Sequence, residues 1–193
     1  SRVHNNIGEY YWNKGLLDKG CASFSKAYHL NHEMNSSQYG VICCNLGNCY
    51  FTVAKQFDKA QQLYEKALQL YPGDPSSYSG LGFVYLKRGD IAKAKIFMMA
   101  ALKAIPDDPE FLHGLALINF MEKNYEKCIE LAKQAINSNG KDIPALMLLA
   151  QSYYIIGDPA ESIKFWTEID KVMPSSISST LALIELYTTI HDD

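Results

Sequence analysis

The chain lacks a long apolar run, a basic block and a secretory signal. Its uninterrupted apolar stretches, such as 145–150, fall far short of the roughly 18 residues that a membrane-spanning helix needs. The 18 Lys and Arg residues against 21 Asp and Glu residues give a net charge of −3, without the clustered cations that hold nucleic acid or an anionic membrane surface. We therefore expect neither nucleic-acid binding nor direct membrane insertion.

The N-terminus also lacks an initiator Met. The chain begins Ser1-Arg2, which predicts a piece of a longer protein whose targeting segment, if any, lies elsewhere. The five cysteines show no disulfide-scaffold spacing, which favours reduced thiols in a cytoplasm-like compartment. We accordingly expect a cytoplasmic location.

Catalytic and metal-binding motifs are missing as well. No Gly-rich phosphate loop, no Ser/His/Asp arrangement and no Cys-x-x-Cys pair occurs. The nearest approaches to a zinc site are Cys43-Cys44 with Cys49, and His29 with His32. Because Cys43 and Cys49 fall on the inward faces of one predicted helix, buried free thiols are the better interpretation. We expect no enzyme, no cofactor and no metal.

What the chain does have is an internal repeat. A small residue, followed three positions later in most copies by Tyr, recurs with steps of 39, 35, 34 and 34 residues. Its copies are Gly8, Gly47, Gly82, Ala116 and Ala150. A second pattern follows each copy at i, i+4 and i+7, as in Ala60, Tyr64 and Ala67, which is one stripe of an α-helix. Each unit therefore predicts two short amphipathic helices.

The residues between these helices agree with that prediction. Gly or Asn, which tolerate the left-handed conformation at a helix end, stands in the inner turns, as in Lys14-Gly15 and Lys123-Asn124. Proline-containing turns follow the second helices, as in 72–75. We expect Gly47 and Gly82 to face Ala60 and Ala94, because small side chains let two helices approach closely.

This pattern resembles the tetratricopeptide repeat, in which Leu-Gly, Tyr, then Ala, an aromatic residue, Ala and Pro recur over 34 residues. The resemblance covers the whole chain and is best over 40–106, with Leu81-Gly82 and Tyr85 as an example. It implies an all-α fold, a right-handed α-solenoid of antiparallel helix pairs with about 11 helices.

The repeat count predicts one solenoid over 1–193. Five extra residues in the first unit imply lengthened helices or a longer connector, and the second unit has one extra residue in its inner turn, near 53–55. The final stretch matches a first helix, either as a C-terminal cap or as a truncated sixth repeat, and we favour truncation. The predicted units are 1–39, 40–74, 75–108, 109–142, 143–176 and a half-repeat over 177–193.

By the same resemblance, the first helix of each pair lines a concave groove. The twelfth position of each unit is bulky and apolar, and although any one such residue can belong to the core, five in register favour an exposed stripe. Asn45 adds an amide that can bond to a peptide backbone, and His113 has Glu110 as its acidic neighbour. The predicted partner-binding residues are Trp12, Asn45, Asn48, Phe51, Phe83, Leu86, Lys87, His113, Leu117, Phe120, Met121, Met147, Gln151 and Tyr154.

These features predict a non-catalytic interaction module, a scaffold or adaptor that holds a partner's helix or extended peptide in an apolar-lined groove. The alternative is structural self-association within a larger multidomain protein, through the groove or the C-terminal helix. The expected partner in the first case is a protein or peptide segment, and in the second a further copy of the chain or another part of it.

Overall fold

The structure, a computed structural model, describes residues 1–30, 35–138, 142–174 and 180–186. These residues form ten helices and a further helical segment at 180–186. The helices are α1 (Arg2–Asn13), α2 (Leu17–His29), α3 (Ser36–Thr52), α4 (Phe57–Leu70), α5 (Pro75–Lys87), α6 (Ile91–Ala104), α7 (Pro109–Met121), α8 (Tyr125–Ser138), α9 (Ile143–Ile155) and α10 (Pro159–Val172).

The helices divide between two compact units. The N-terminal unit, Ser1–Ile105, contains α1 to α6, and the C-terminal unit, Pro106–Asp193, contains α7 to α10 with the segment 180–186. Within each unit every helix packs against the next one along the chain, and α3 also contacts α5 as α7 contacts α9. The odd-numbered helices and the segment 180–186 are called first helices below, and the even-numbered ones second helices.

Side-chain caps and left-handed turns define the helix ends. Six Asp or Asn side chains accept hydrogen bonds from N–H groups in the first turns of helices, which have no partner within the helix, for example Asp74 from the amide of Ser77 at 2.9 Å. Gly15, Gly89 and Gly157 take positive φ in the inner turns, as the pattern predicts. In the turn after α7, Lys123 has the positive φ (62°). The expectation that Asn124 takes the left-handed conformation there is therefore wrong.

The extra residues of the first two units lie at two places. Helix α3 has 17 residues against 13 in α5, and the added turn lies at its N-terminal end, so helix lengthening accounts for most of the insertion. Residues 31–34 of the same insertion lie outside the described part. The inner turn at 53–56 is one residue longer than that at 88–90, and this prediction is confirmed.

The small residues of the first helices accommodate large side chains. A Cβ atom built on Gly47 would lie 2.8 Å from the ring of Tyr64, and one on Gly82 would lie 2.9 Å from Met98. The expected pairing of Gly47 and Gly82 with Ala60 and Ala94 stays a prediction; in the first repeat the equivalent residues do meet, since a Cβ atom on Gly20 would lie 3.2 Å from the carbonyl oxygen of Gly8. The close approach also makes room for the bulky residue four positions after the alanine.

Two of the five cysteines are joined. Cys21 on α2 and Cys49 on α3 form a disulfide with their Cα atoms 5.5 Å apart. The expectation of reduced thiols is wrong for this pair, because inter-helix packing brings together two cysteines that are 28 residues apart in sequence. Cys43, Cys44 and Cys128 are buried and lie outside this disulfide.

Across the described ranges, no helix has the length and apolarity needed to span a bilayer. The same part of the structure contains no group of three or more His, Cys, Asp or Glu side chains arranged to hold a metal ion.

Candidate partner-binding clefts

A polar cleft lies on the first helices of the N-terminal unit. It encloses about 210 Å³ and is called the N-terminal cleft. Three of its lining residues, Trp12, Asn45 and Asn48, are predicted site residues. The full lining is Glu9, Trp12, Asn13, Phe24, Asn45 and Asn48.

Hydrogen bonds fix the amides of this cleft. Asn45 Nδ2 donates to Asn5 Oδ1 at 3.0 Å and to Glu9 Oε1 at 3.4 Å, while Asn5 Nδ2 donates to Glu9 Oε1 at 2.7 Å. Tyr64 Oη donates to Asn48 Oδ1 at 2.7 Å. Because an amide side chain carries several donor and acceptor sites, these residues keep capacity for a peptide backbone while their orientation is held.

The aromatic residues beyond this cleft pack mainly on one another. The ring centroid of Phe51 lies 5.4 Å from that of Phe57 and 6.4 Å from that of Phe83, and Phe51 and Phe83 are half-buried. Leu86, predicted to line the groove, is only 8% exposed and belongs to the core. Lys87 is exposed at the end of α5.

An apolar cleft lies in the C-terminal unit. It encloses about 410 Å³ and is called the C-terminal cleft. Tyr154 and Ile155 stand at its rim, 46% and 48% exposed, whereas Trp166 and Leu186 are buried. Phe120, Gln151 and Tyr154 are predicted site residues. The full lining is Phe120, Gln151, Tyr154, Ile155, Trp166, Ala182, Glu185 and Leu186.

His113 has an acidic neighbour that the sequence did not reveal. Its Nδ1 lies 3.8 Å from Asp142 Oδ2, and Asp142 Oδ1 accepts a hydrogen bond from the amide of Ala145 at 3.1 Å. The expectation that Glu110 is the acidic neighbour is therefore incomplete, because Asp142 caps the N-terminus of α9, in the next helix pair. Leu117 and Met147 are half-buried and Met121 is exposed, and none of the three lines either first-helix cleft.

The structure thus groups six of the predicted residues into two clefts, three in each. Sequence reasoning missed Trp166, Ala182 and Leu186. Trp166 lies on a second helix, whereas the resemblance pointed to first helices. The equivalent positions of the earlier repeats carry Phe24, Tyr64, Met98 and Ala132, so a large side chain is common there and no local signal singles out Trp166.

Comparisons with known proteins agree with this architecture. Profiles described as "Tetratricopeptide repeat" match residues 1–31 and 54–118. A chain from the crystal structure of the APC/C hetero-tetramer Cut9–Hcn1 superposes with a TM-score of 0.84 at 17% identity. The match covers 96% of this chain and 36% of the Cut9–Hcn1 chain. The chain is a tetratricopeptide repeat protein. Its all-α fold of sequential helix pairs, with about five repeats and a final helix, is confirmed.

Other similarities extend along this repeat array. A profile for anaphase-promoting complex (cyclosome) subunit 3 matches residues 91–168. TTC0263, a TPR protein of Thermus thermophilus, superposes with a TM-score of 0.76 at 14% identity, covering 97% of this chain and 98% of that one. Helix pairs of this kind are therefore shared by proteins with little sequence in common.

Two curated relatives are named as parts of protein complexes. The BBSome complex member BBS4 of Bos taurus is 32% identical over 143 residues, which is 74% of this chain and 27% of the relative. Anaphase-promoting complex subunit 6 of Arabidopsis thaliana is 22% identical over 186 residues, 94% of this chain and 33% of the relative. The chain thus spans about a quarter to a third of the length of these relatives. As a tetratricopeptide array it is a protein–protein interaction module and not an enzyme.

Proposed function

We propose that this array is a scaffold module that binds an apolar helix or extended segment of a partner protein through its C-terminal cleft. The observation that carries the proposal is the exposure of Tyr154 and Ile155 beside a cleft of about 410 Å³ with a buried Trp166 floor. A cleft of this size admits one or two apolar side chains. Covering each exposed side chain contributes about 1.5–3 kcal/mol before ordering costs.

The N-terminal cleft has a different part in this proposal. Its amides and Glu9 offer hydrogen bonds and one carboxylate rather than apolar surface. We expect it to bind the backbone of an extended segment with little dependence on side chains. A segment bound in this cleft is held by hydrogen bonds rather than by apolar contacts.

The relatives support an assembly role. BBS4 is a member of the BBSome complex, and the Arabidopsis relative is a subunit of the anaphase-promoting complex. Both are components of large protein assemblies rather than isolated molecules. By analogy, we propose that this chain contributes a docking surface to a larger complex.

Selection of a random peptide library on the immobilised chain tests the proposal. We expect enrichment of peptides with aromatic or aliphatic anchors. The double variant Phe120→Ala/Tyr154→Ala should weaken the selected peptides by at least about 30-fold, because two anchor contacts of about 1 kcal/mol or more each are removed. Circular dichroism should show unchanged helix content.

A matched control removes exposed apolar surface elsewhere. Ile96 and Met99 on α6 are also exposed and line neither first-helix cleft. Ile96→Ala/Met99→Ala should therefore leave peptide affinity unchanged. Equal affinity of the Phe120/Tyr154 variant and the control for the selected peptides would refute binding in the C-terminal cleft.

A second candidate function is self-association through the segment 180–186. Leu181 and Ile184 on this segment are 60% and 56% exposed, and such residues are typical of a helix that packs against another surface. Light scattering over a concentration series distinguishes the two functions. A dimer that is lost in Leu181→Asp favours self-association, and a monomer at all concentrations favours partner binding.

A further inference from the structure

The two units carry opposite charge. The unit Ser1–Ile105 contains 12 Lys and Arg residues and 7 Asp and Glu residues, which gives a net charge of +5. The unit Pro106–Asp193 contains 6 Lys and Arg residues and 14 Asp and Glu residues, which gives a net charge of −8. Seven of the lysines of the N-terminal unit lie on its second helices α2, α4 and α6, with three acidic residues on the same helices. The modest overall charge of −3 thus conceals a basic surface on this unit.

A cleft opens in this basic surface, between α2, α3 and α4. It encloses about 370 Å³ and shares no lining residue with the N-terminal or C-terminal cleft. Lys59, Lys66 and His29 border it, and the buried side chains of Leu46 and Leu63 contribute apolar surface. Among the residues that the structure describes, no Asp or Glu lines it. We call it the basic cleft.

Tyrosines hold the two lysines of the basic cleft. Lys66 Nζ donates to Tyr28 Oη at 3.0 Å and to Tyr39 Oη at 3.2 Å, and it lies 4.9 and 4.8 Å from the centroids of the same two rings. Lys59 Nζ lies 5.3 Å from the ring centroid of Tyr50. These cation–π contacts position the ammonium groups without cancelling their charge.

Neither lysine is neutralised by a carboxylate. Across the described part of the chain, the ion pairs involve other side chains and leave out both Lys59 and Lys66. The hydrogen bond to Tyr28 raises the pKa of Lys66, which therefore remains charged at neutral pH. An ammonium group has three donors, so Lys66 retains one for a further acceptor.

We propose that the basic cleft is a second docking site, on the second helices, for an acidic protein segment that carries aliphatic side chains. Carboxylates of the segment contact the ammonium groups of Lys59 and Lys66, and an aliphatic side chain lies over Leu46 and Leu63. Charge complementarity argues for this occupant, since the described lining combines two fixed cations with apolar surface and includes no acidic residue. A polyanion without apolar groups would leave Leu46 and Leu63 uncovered.

Fluorescence anisotropy of labelled peptides with the full chain tests this site. The probe is a short peptide in which Leu alternates with pairs of Glu, and the two comparison peptides carry Gln for Glu or Ala for Leu. We expect the first peptide to bind and both comparison peptides to bind at least about tenfold more weakly. Equal binding of all three would overturn the proposal.

Charge-matched variants locate the binding. Lys59→Gln/Lys66→Gln should weaken the Leu/Glu peptide about tenfold, while Lys14→Gln/Lys103→Gln, which removes the same charge outside the cleft, should change its affinity less than about twofold. An equal loss in both variants would indicate general electrostatic attraction and refute the site. Heparin that binds more tightly than the peptide, with the same dependence on Lys59 and Lys66, would also overturn the protein segment as occupant.

A third variant distinguishes loss of charge from loss of folding. Because Lys66 bonds to two tyrosines, its replacement can disturb packing. Lys59→Glu leaves those bonds in place and reverses one charge, so it should weaken the peptide at least as much as the double variant does, with unchanged helix content. Undiminished binding to Lys59→Glu would contradict the proposal. The Phe120→Ala/Tyr154→Ala variant should bind the Leu/Glu peptide normally, which separates this site from the C-terminal cleft.

Discussion

The two first-helix clefts differ in chemistry although the same kind of helix pair builds both. The N-terminal cleft consists mainly of amides, a carboxylate and a tryptophan, and Asn45 in it bonds to the neighbouring first helix α1. The C-terminal cleft consists mainly of aromatic and aliphatic side chains, with Gln151 and Glu185 as its polar members. In this array the lining of the first helices varies independently of the packing between helices.

The packing positions differ between the units in a more limited way. In the N-terminal unit glycine lies against a large residue of the second helix, as Gly8 lies against Phe24 and Gly47 against Tyr64. The corresponding positions of the C-terminal unit carry Ala116 and Ala150, both fully buried. At these two positions the C-terminal unit therefore accommodates one methyl group more than the N-terminal unit does.

Two tryptophans allow the units to be followed separately. Trp12 lies on α1 and Trp166 on α10, and each unit contains one of them. In a Trp166→Phe background, the fluorescence of Trp12 reports on the N-terminal unit. In a Trp12→Phe background, the fluorescence of Trp166 reports on the C-terminal unit. The two backgrounds together compare the stability of the two units.

Removal of the disulfide should have the largest effect. Cys21 and Cys49 are 28 residues apart. Without the disulfide the unfolded chain gains conformational entropy, and for a loop of this length the free energy of unfolding falls by about 3.5 kcal/mol. In Cys21→Ser/Cys49→Ser, urea unfolding reported by Trp12 should shift to lower concentration while that reported by Trp166 stays in place. Equal shifts of both signals would show that the units unfold together and remove the basis for comparing them.

The substitution Gly80→Leu, which places a residue of the C-terminal unit in the N-terminal unit, should have the next largest effect on stability. Gly80 and Leu148 occupy the same position of their repeats, and a Cβ atom on Gly80 would lie 2.5 Å from the ring of Tyr64. Gly80→Leu should therefore cost about 2–3 kcal/mol, because the buried ring is held by its bond to Asn48 and cannot move aside. Thermal unfolding reported by Trp12 measures the loss.

The matched control for Gly80→Leu is Leu148→Met, a volume-conserving exchange at the same repeat position. It should change the unfolding temperature reported by Trp166 by only a few degrees. If Gly80→Leu is as mild as this control, then Tyr64 is not confined at the seam.

Alkaline pH should have the smallest of the three effects. Burial raises the pKa of the Cys43 thiol to about 11, from an ordinary value near 9. The unfolded chain loses this proton first, so the contribution is complete below pH 9 and disappears as the pH rises through 11. By pH 10, midway through this range, the expected loss in the N-terminal unit is about 1.4 kcal/mol. Cys43→Ala should flatten the pH dependence reported by Trp12, and an unchanged slope would contradict the assignment to Cys43.

Much of the fold was predictable because it depends on local periodicity. The steps between small residues placed the helix pairs, and the extra residue of the second unit appeared in its inner turn. The position of the first insertion was not decided, since Ser36 can begin a helix or continue a connector equally well from its local sequence. Only the added turn of α3 distinguished the two.

What the sequence did not reveal depends on contacts between repeats. The disulfide joins α2 of one helix pair to α3 of the next, and Asp142, the N-cap of α9 in the following helix pair, reaches His113. The burial of Leu86 likewise follows from its neighbours rather than from its helical position. Repeat spacing predicts where each helix lies in the chain, but not which side chains meet across a seam.

The ring of Tyr64 restricts which repeat can follow the second one. It packs on Gly47 of its own repeat and on Gly80 of the next, where a larger residue would collide with it. The repeat after that carries Gly114 at the same position, whereas the fifth carries Leu148. A lineage that deleted the third repeat would keep a fitting junction, but one that deleted both the third and the fourth would not. One aromatic side chain thus limits how the array can lengthen or shorten by duplication and loss.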